Sequence, residues 1–368
     1  MLKVASVVGA RPNFMKIAPI VRAMRQDPFF RPSLIHTGQH YDEKMSDVFF
    51  EELGIGAPNV NLSVGSGPHG RQTGQVMVRF EEIVVADRPD LVVVVGDVNS
   101  TLAAALVAVK LHIPVAHVEA GLRSFDRTMP EEINRVLTDS ISGFLFTTER
   151  SAEANLAAEG IDRRKVFFVG NVMIDVLLAN RRRAAGSDIT SRLGLNGQPY
   201  AVLTLHRPSN VDSREPLTRI AAALERVGVQ VPIVFPAHPR TVKNLEAFGL
   251  LSRLEAGGRV RIVEPLGYLD FLRLMDCSAL VLTDSGGLQE ETTVLGVQCV
   301  TLRENTERPV TVEQGTNVLA GSDTERIVAA SEKALQVGRQ ASRVPELWDG
   351  KAAERIVAIL RDHFTSQG

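Results

Sequence analysis

Cysteine is nearly absent: Cys277 and Cys299 are the two in 368 residues. Two distant thiols without a Cys-x-x-Cys spacing exclude a disulfide framework, and both suit buried apolar positions in a reducing compartment. Excess charge of one sign is also missing. With 41 basic and 43 acidic residues the net charge is -2, so no field over the whole chain draws in nucleic acid or a membrane surface. Any anion has to be held by local positive groups. Long hydrophobic runs are lacking too: the longest, near Leu91–Val95, is far too short for a bilayer, and MLKVASVVGARP is interrupted too early for a signal peptide, so a cytoplasmic location is expected. There is no P-loop, no Asp-x-Asp metal pair, no zinc-type His/Cys spacing and no Gly-x-Ser-x-Gly elbow; no metal and no redox cofactor is expected. Gly65-Ser66-Gly67-Pro68-His69-Gly70 matches G-x-G-x-x-G. It does not directly join an apolar strand to a helix, and Pro68 and His69 would crowd a pyrophosphate.

What is present is an ordinary globular composition, 44% apolar and 23% charged, at a length that favours two domains. Short β-branched runs alternate with amphipathic helices. Lys3–Val8, Leu34–His36, Leu91–Val95, Val115–Val118, Phe144–Phe146 and Val166–Val169 read as strands, with helices over Ile17–Met24, Ser100–Lys110, Glu131–Ser140 and Ser151–Glu159. Between Asn180 and Gln198 the composition turns to Arg, Ala, Gly, Ser and Asn, which marks a hinge. Tyr200–Leu205, Pro232–Phe235, Arg259–Val263, Ala279–Leu282 and Cys299–Leu302 then repeat the alternation. The expected architecture is α/β: two Rossmann-like, doubly wound domains facing across a cleft, over 1–180 and 181–351, with a helix in 352–368 free to pack back on the first. Ligands belong at the carboxyl ends of the strands.

Those ends carry groups a core would reject. After the first strand, Pro12 suits a first helical turn, and Arg11 and Lys16 are cations where the helix dipole disfavours them; a bound anion would offset that. Asp97 follows Leu91–Val95, and Ser100 competes with it as a helix cap. Glu119 follows Val115–Val118 beside His117, and Met129-Pro130-Glu131-Glu132 adds a third acidic position. Asp97, Glu119 and Glu131 are candidate proton-transfer groups whose repulsion and desolvation would raise some of their pKa values; Glu131 alone also reads as a first-turn acid. In the second half, His206 and His238 follow strands, and either also reads as a satisfied structural histidine. Thr283-Asp284-Ser285-Gly286-Gly287 leads into a helix whose free N–H groups suit a diphosphate, with Glu291 placed to accept from a ribose diol and Arg308 at a further junction.

Taken together, GARPNFMKIAP, HTGQHYDEKM, GDVNSTLA, HVEAGLRS, MPEEINR, VGNVMID, LHRPSN, TDSGGLQEE, RENTERP and WDGKAAERIV resemble the non-hydrolysing UDP-N-acetylglucosamine 2-epimerase family along nearly the whole chain. The resemblance implies a GT-B-like fold, a homodimer, and reversible epimerisation of UDP-N-acetylglucosamine to UDP-N-acetylmannosamine. UDP would leave to give a 2-acetamidoglucal and then add back. It implies Asp97, Glu119, Glu131 and His206 as catalytic residues. Arg11 and Lys16 would contact the nucleotide sugar from the first domain, and Ser285, Gly286, Gly287, Glu291 and Arg308 from the second. Phe271 would lie near the uracil, and His238 joins the substrate-binding set. Tyr41, Pro208 and Ser209 depart from positions that serve a regulatory UDP-sugar site in some bacterial members. The stretch Ser124-Phe125-Asp126-Arg127 bears on the sugar pocket. Relatives acting on a UDP-diacetamido-uronate share this look, with Arg123 or Arg127 as the partner of the uronate carboxylate. The remaining alternatives are a hydrolysing epimerase releasing N-acetylmannosamine and UDP, a glycosyltransferase needing an acceptor, and a nucleotide-sugar sensor.

Overall fold

The computed structural model describes residues 1–39, 55–339 and 344–366, the side chain of Arg11 excepted. Tyr41 lies outside the described residues. The chain folds as two compact units, Met1–Val176 with Glu346–Gly368, and Leu177–Pro345.

The first unit holds a seven-stranded sheet in the order β3-β2-β1-β4-β5-β6-β7, every pairing parallel. The strands are β1 (Leu2–Val8), β2 (Phe30–His36), β3 (Val60–Asn61), β4 (Leu91–Val95), β5 (Val115–Ala120), β6 (Phe144–Thr147) and β7 (Val166–Phe168). The helices are α1 (Arg11–Gln26), α2 (His69–Ala86), α3 (Asn99–Lys110), α4 (Pro130–Ile141), α5 (Arg150–Ala158) and the start of α6 (Val172–Ala184), whose residues from Leu177 on belong to the second unit. Helices on both faces leave no side of the central strands for water, which is why β4 is an unbroken Leu-Val-Val-Val-Val and wholly buried. The two-residue β3 carries too little pattern to be seen in sequence. The Gly65–Gly70 stretch does open a helix, since α2 begins at His69, but the strand before it is this sheet-edge β3.

The second unit repeats the plan with order β10-β9-β8-β11-β12-β13, again all parallel. Its strands are β8 (Ala201–Thr204), β9 (Ile233–Pro236), β10 (Val260–Val263), β11 (Leu280–Thr283), β12 (Gln298–Thr301) and β13 (Asn317–Leu319). Its longer helices are α7 (Arg214–Gln230), α8 (Pro239–Ala247), α9 (Tyr268–Asp276), α10 (Gly286–Leu295) and α11 (Thr324–Val337). The core interleaves strand residues such as Leu203, Phe235 and Leu282 with Ile220, Leu224 and Val227 of α7. The arginine-rich stretch after Asn180, where composition places a hinge, belongs to this unit, and Arg181 pairs with Asp276 at 3.0 Å.

The closing segment belongs to the first unit. Its helix α12 (Ala352–Thr365) packs on α1. Asp175 caps it, accepting from Ala352 N–H at 3.1 Å and Ala353 N–H at 2.7 Å. Trp348 is fully buried and donates its indole N–H to Thr148 O at 2.9 Å.

Cys299 is buried as its strand context implies, and burial lifts its thiol to about 11. Cys277 is exposed, which corrects the reading of both thiols as core residues. Apolar neighbours suggested a strand, whereas Cys277 stands at the carboxyl end of α9, where the chain turns back to the surface. No helix among the described residues is long and apolar enough to cross a membrane.

Candidate active site

Both sheets reverse their winding direction beside their first strand, between β1 and β4 and between β8 and β11. At such a switch point the adjoining connections leave to opposite faces and open a crevice at the carboxyl ends of the strands.

In the first unit that crevice is lined by the start of α1 and the turn after β4. Pro12 sits in the first turn of α1, as its fixed φ allows. Asn13, buried, ties the two pieces together: its Oδ1 accepts from Ala10 N–H at 3.1 Å and its Nδ2 donates to Val95 O at 2.8 Å. Arg11 opens the helix, and its side chain is outside the described residues. One turn on, Lys16 places Nζ 2.7 Å from Glu119 Oε2, with the two side chains only 8% and 2% exposed. The anion that offsets a cation at this helix start is therefore a carboxylate of the chain itself.

Glu119 reaches Lys16 because its backbone is bent to do so. It has φ +70° at a register irregularity between Val118 and Ala120 in the pairing of β5 with β6. A side chain in the left-handed region costs about 1–2 kcal/mol, and strain of this kind collects at functional sites. Gly96 makes the complementary concession. It has φ +66°, and a Cβ there would lie 2.9 Å from Lys16 Nζ. Its carbonyl is 2.7 Å from His117 Nε2, while His117 Nδ1 lies 2.7 Å from Asp139 Oδ1. Asp139 also accepts from Gly121 N–H at 3.0 Å and pairs with Arg123 at 2.7 Å. Burial pushes Asp139 up, yet His117 and Arg123 together outweigh it and hold the acid below its ordinary value. The glycine turn carrying the next acid is thereby fixed through a fully buried polar network.

Asp97, 22% exposed, is paired with Arg135 at 2.8 Å. Arg135 also pairs with Glu132, whose carboxylate accepts from Ser124 N–H at 3.0 Å and Phe125 N–H at 2.9 Å. Asn134 donates to Asp97 O at 2.9 Å. Helix α4 thus clamps both the Asp97 turn and the Ser124–Phe125 turn. Of its two adjacent glutamates, Glu132 points inward, while Glu131 is half-buried in the first turn. Lys16 thus pairs with Glu119, and Arg135 with Asp97. Arg123 is committed to Asp139 and Glu159, so it is part of the wall.

In the second unit, β8 and β11 deliver His206 and Asp284 side by side, with His206 Nδ1 2.9 Å from Asp284 Oδ1. Asp284 is fully buried; burial raises its pKa, but the bonds from His206 and the neighbouring backbone prevail and lower it. Ser285 donates its N–H to Thr283 Oγ1 at 2.9 Å and precedes α10, whose first-turn N–H groups have no intrahelical acceptor. A Cβ on Gly286 would lie 2.6 Å from Arg308 Nη1, whereas one on Gly287 would meet open space. The first glycine admits the guanidinium and the second leaves the backbone approachable. Arg308 is buried and donates through Nε to Glu290 at 2.7 Å. Glu291, also buried, receives the Tyr268 hydroxyl at 3.4 Å; burial and the Glu290 charge lift it to about 8. Phe271 is half-buried on α9. His238 is exposed and caps α8, its Nδ1 accepting from Arg240 N–H at 3.2 Å.

The structure therefore brings Lys16, Glu119 and Gly96 together in one unit, and gathers Ser285, Gly286 and Arg308 in the other. Asn13, Glu132, Arg135, Asp139 and Asp284 were not singled out from sequence. Asp284 carried the same signal as Glu119, an acid directly after an apolar strand. The other four announce nothing until their partners are placed.

Two Rossmann-like parallel sheets in one chain, each with polar side chains at its switch point, define an α/β enzyme of GT-B-like construction. The family model described as UDP-N-acetylglucosamine 2-epimerase matches residues 22–361. UDP-N-acetylglucosamine 2-epimerase of Methanocaldococcus jannaschii is 46% identical over 98% of this chain and 99% of its own. The UDP-2,3-diacetamido-2,3-dideoxy-D-glucuronate 2-epimerase of Pseudomonas aeruginosa is 43% identical over 98% and 99%. Among solved structures, the Methanocaldococcus jannaschii enzyme in complex with UDP-GlcNAc and UDP superposes with a TM-score of 0.91 at 46% identity, covering 98% and 99% of the two chains. The Neisseria meningitidis enzyme bound to UDP-GlcNAc gives 0.87 at 28% identity, covering 98% and 100%. The chain belongs to the UDP-N-acetylglucosamine 2-epimerase family and is an epimerase acting on a UDP-sugar.

Proposed function

We propose that the chain interconverts UDP-N-acetylglucosamine and UDP-N-acetylmannosamine by reversible elimination. A carboxylate takes the C2 proton, the C2–H electron pair becomes a C1–C2 double bond, and the C1–O bond breaks with its pair leaving on UDP. Return of a proton to the opposite face of C2, with UDP re-adding at C1, completes the inversion. Asp97, Glu119 and Glu131 are the proton-transfer carboxylates of this reading, and His206 assists. Arg11 and Lys16 contact the nucleotide sugar from the first unit; His238, Phe271, Ser285, Gly286, Gly287, Glu291 and Arg308 hold the nucleotide from the second.

The observation that carries this reading is Glu119: a buried carboxylate on a left-handed backbone, at the carboxyl end of β5, held to Lys16 at 2.7 Å. A weakly acidic carbon proton needs a desolvated base of fixed position, and departing diphosphate charge needs preorganised donors, each worth about 3 kcal/mol of barrier. The free N–H groups of α10 beside Arg308 supply such donors. The identity to the Methanocaldococcus jannaschii enzyme supports N-acetylglucosamine as the sugar.

A UDP-diacetamido-uronate is the second reading, raised by the 43% identity to the Pseudomonas aeruginosa relative. Its added carboxylate requires a cation, and Arg123 is already engaged by Asp139 and Glu159, which leaves Arg127. Incubation with UDP-N-acetylglucosamine and with the diacetamido-uronate analogue, followed by proton NMR, separates the two. Turnover of the first alone, with the anomeric proton still coupled to phosphorus, supports the proposal; release of free N-acetylmannosamine would move the chain to the hydrolysing class.

A further inference from the structure

We propose that Asp284 is the positioning residue for His206, holding its imidazole as the Nδ1–H form so that Nε2 is presented outward for proton transfer. This rests on the reading of His206 as a participant in the reaction.

The geometry makes the carboxylate a fixed acceptor. Asp284 receives His206 N–H at 3.0 Å, Arg207 N–H at 2.9 Å, Asn210 Nδ2 at 3.2 Å and the His206 ring at 2.9 Å. Asn210 is locked in turn by donating to Leu302 O at 2.9 Å. Apart from the ring, every one of these donors is neutral, and the carboxylate is buried with no lone pair offered to solvent. A carboxylate only accepts, so the nitrogen facing it carries the proton. In the neutral ring the other nitrogen is then the bare one. The His206 side chain is 53% exposed, so Nε2 is reachable from the crevice while Nδ1 is not free to turn away. The position matches the mechanical need. Asp284 follows β11 and His206 lies two residues beyond β8, so the pair spans the switch point immediately before the Ser285–Gly287 turn.

A purely structural role would place Asp284 as an anchor of the His206–Asn210 turn and nothing more. Long-range proton–nitrogen NMR of the His206 ring at pH 8.5 separates these possibilities. The wild type should carry its ring proton on Nδ1, and Asp284→Asn should shift the ring toward the Nε2–H form preferred in water. With UDP-N-acetylglucosamine, Asp284→Asn should lower kcat about 100-fold or more, the usual weight of a proton-transfer group, with KM and UDP affinity close to wild type. Asn210→Ala, which loosens the turn without touching the ring, should keep the tautomer and most of kcat. A wild-type ring protonated at Nε2, or full kcat in Asp284→Asn, overturns the inference; if that variant fails to fold, the wild-type spectrum alone decides it. Full turnover in His206→Gln would instead remove His206 from the reaction, a failure of the functional reading that the ring spectrum registers independently.

Discussion

Removing both sides of the Lys16–Glu119 pair should cost clearly less than the sum of removing each side alone. The two charges stand 2.7 Å apart with side chains 8% and 2% exposed, so neither can turn to water when its partner goes. Breaking such a pair from one side typically costs about 3–5 kcal/mol, because a buried charge loses a close counter-charge. Lys16→Met and Glu119→Gln should therefore each destabilise the first unit by about that much. The double variant should recover about 2–3 kcal/mol of the summed loss, near the upper end for residues in contact. Trp348 makes the measurement local. It is the single tryptophan of the chain, it is buried, and it lies in the first unit, so its fluorescence during urea unfolding reports that unit. Additivity of the two substitutions within about 0.5 kcal/mol would mean the contact carries no coupling, and the electrostatic account of this site would fail.

Gly96→Ala should destabilise the first unit by about 1–2 kcal/mol through its left-handed φ of +66°, and should lower turnover by crowding Lys16 Nζ; unchanged kcat would show the turn to be slack. Glu119→Gln should reduce turnover about 100- to 10,000-fold while leaving UDP affinity close to wild type. Arg308→Ala should weaken UDP binding about 10- to 100-fold, the worth of one charge-assisted hydrogen bond. Calorimetric titration with UDP checks both, and interchanged phenotypes would invert the division between chemistry and anchoring. Glu291 holds its proton in the folded state up to about 8, above its ordinary 4.5. Its contribution to stability is therefore complete below pH 4.5 and is lost as pH rises through about 8. Urea midpoints taken from pH 5 to 9 should fall for the wild type and flatten in Glu291→Gln.

The alternation of strand and helix was legible because parallel strands covered on both faces are continuous apolar runs; Leu91–Val95 coincides with β4. Two edge strands were not: β3 and β13, two and three residues long, carry too little apolar pattern to stand out from their surroundings. Within the site, an acid at or just beyond the end of an apolar strand was the signal that drew attention to Asp97 and Glu119. The same signal stood at Asp284 and was passed over for the glycines after it. Which of Glu131 and Glu132 points inward was not readable, since adjacent helix positions differ by about 100° and both fit a first turn. Helix α4 buries Glu132 against the Ser124 and Phe125 amides. Asp139 and Arg135 gain their meaning from partners distant in sequence, His117 and Asp97, and no spacing rule connects them.

Turnover of UDP-N-acetylglucosamine in deuterated water, followed by proton NMR at C2, is the most direct test of chemistry at that carbon. Proton removal by an enzyme carboxylate predicts deuterium at C2 of the product and, because the reaction runs both ways, of the recovered substrate. Epimerised product that keeps its original C2 proton would contradict it.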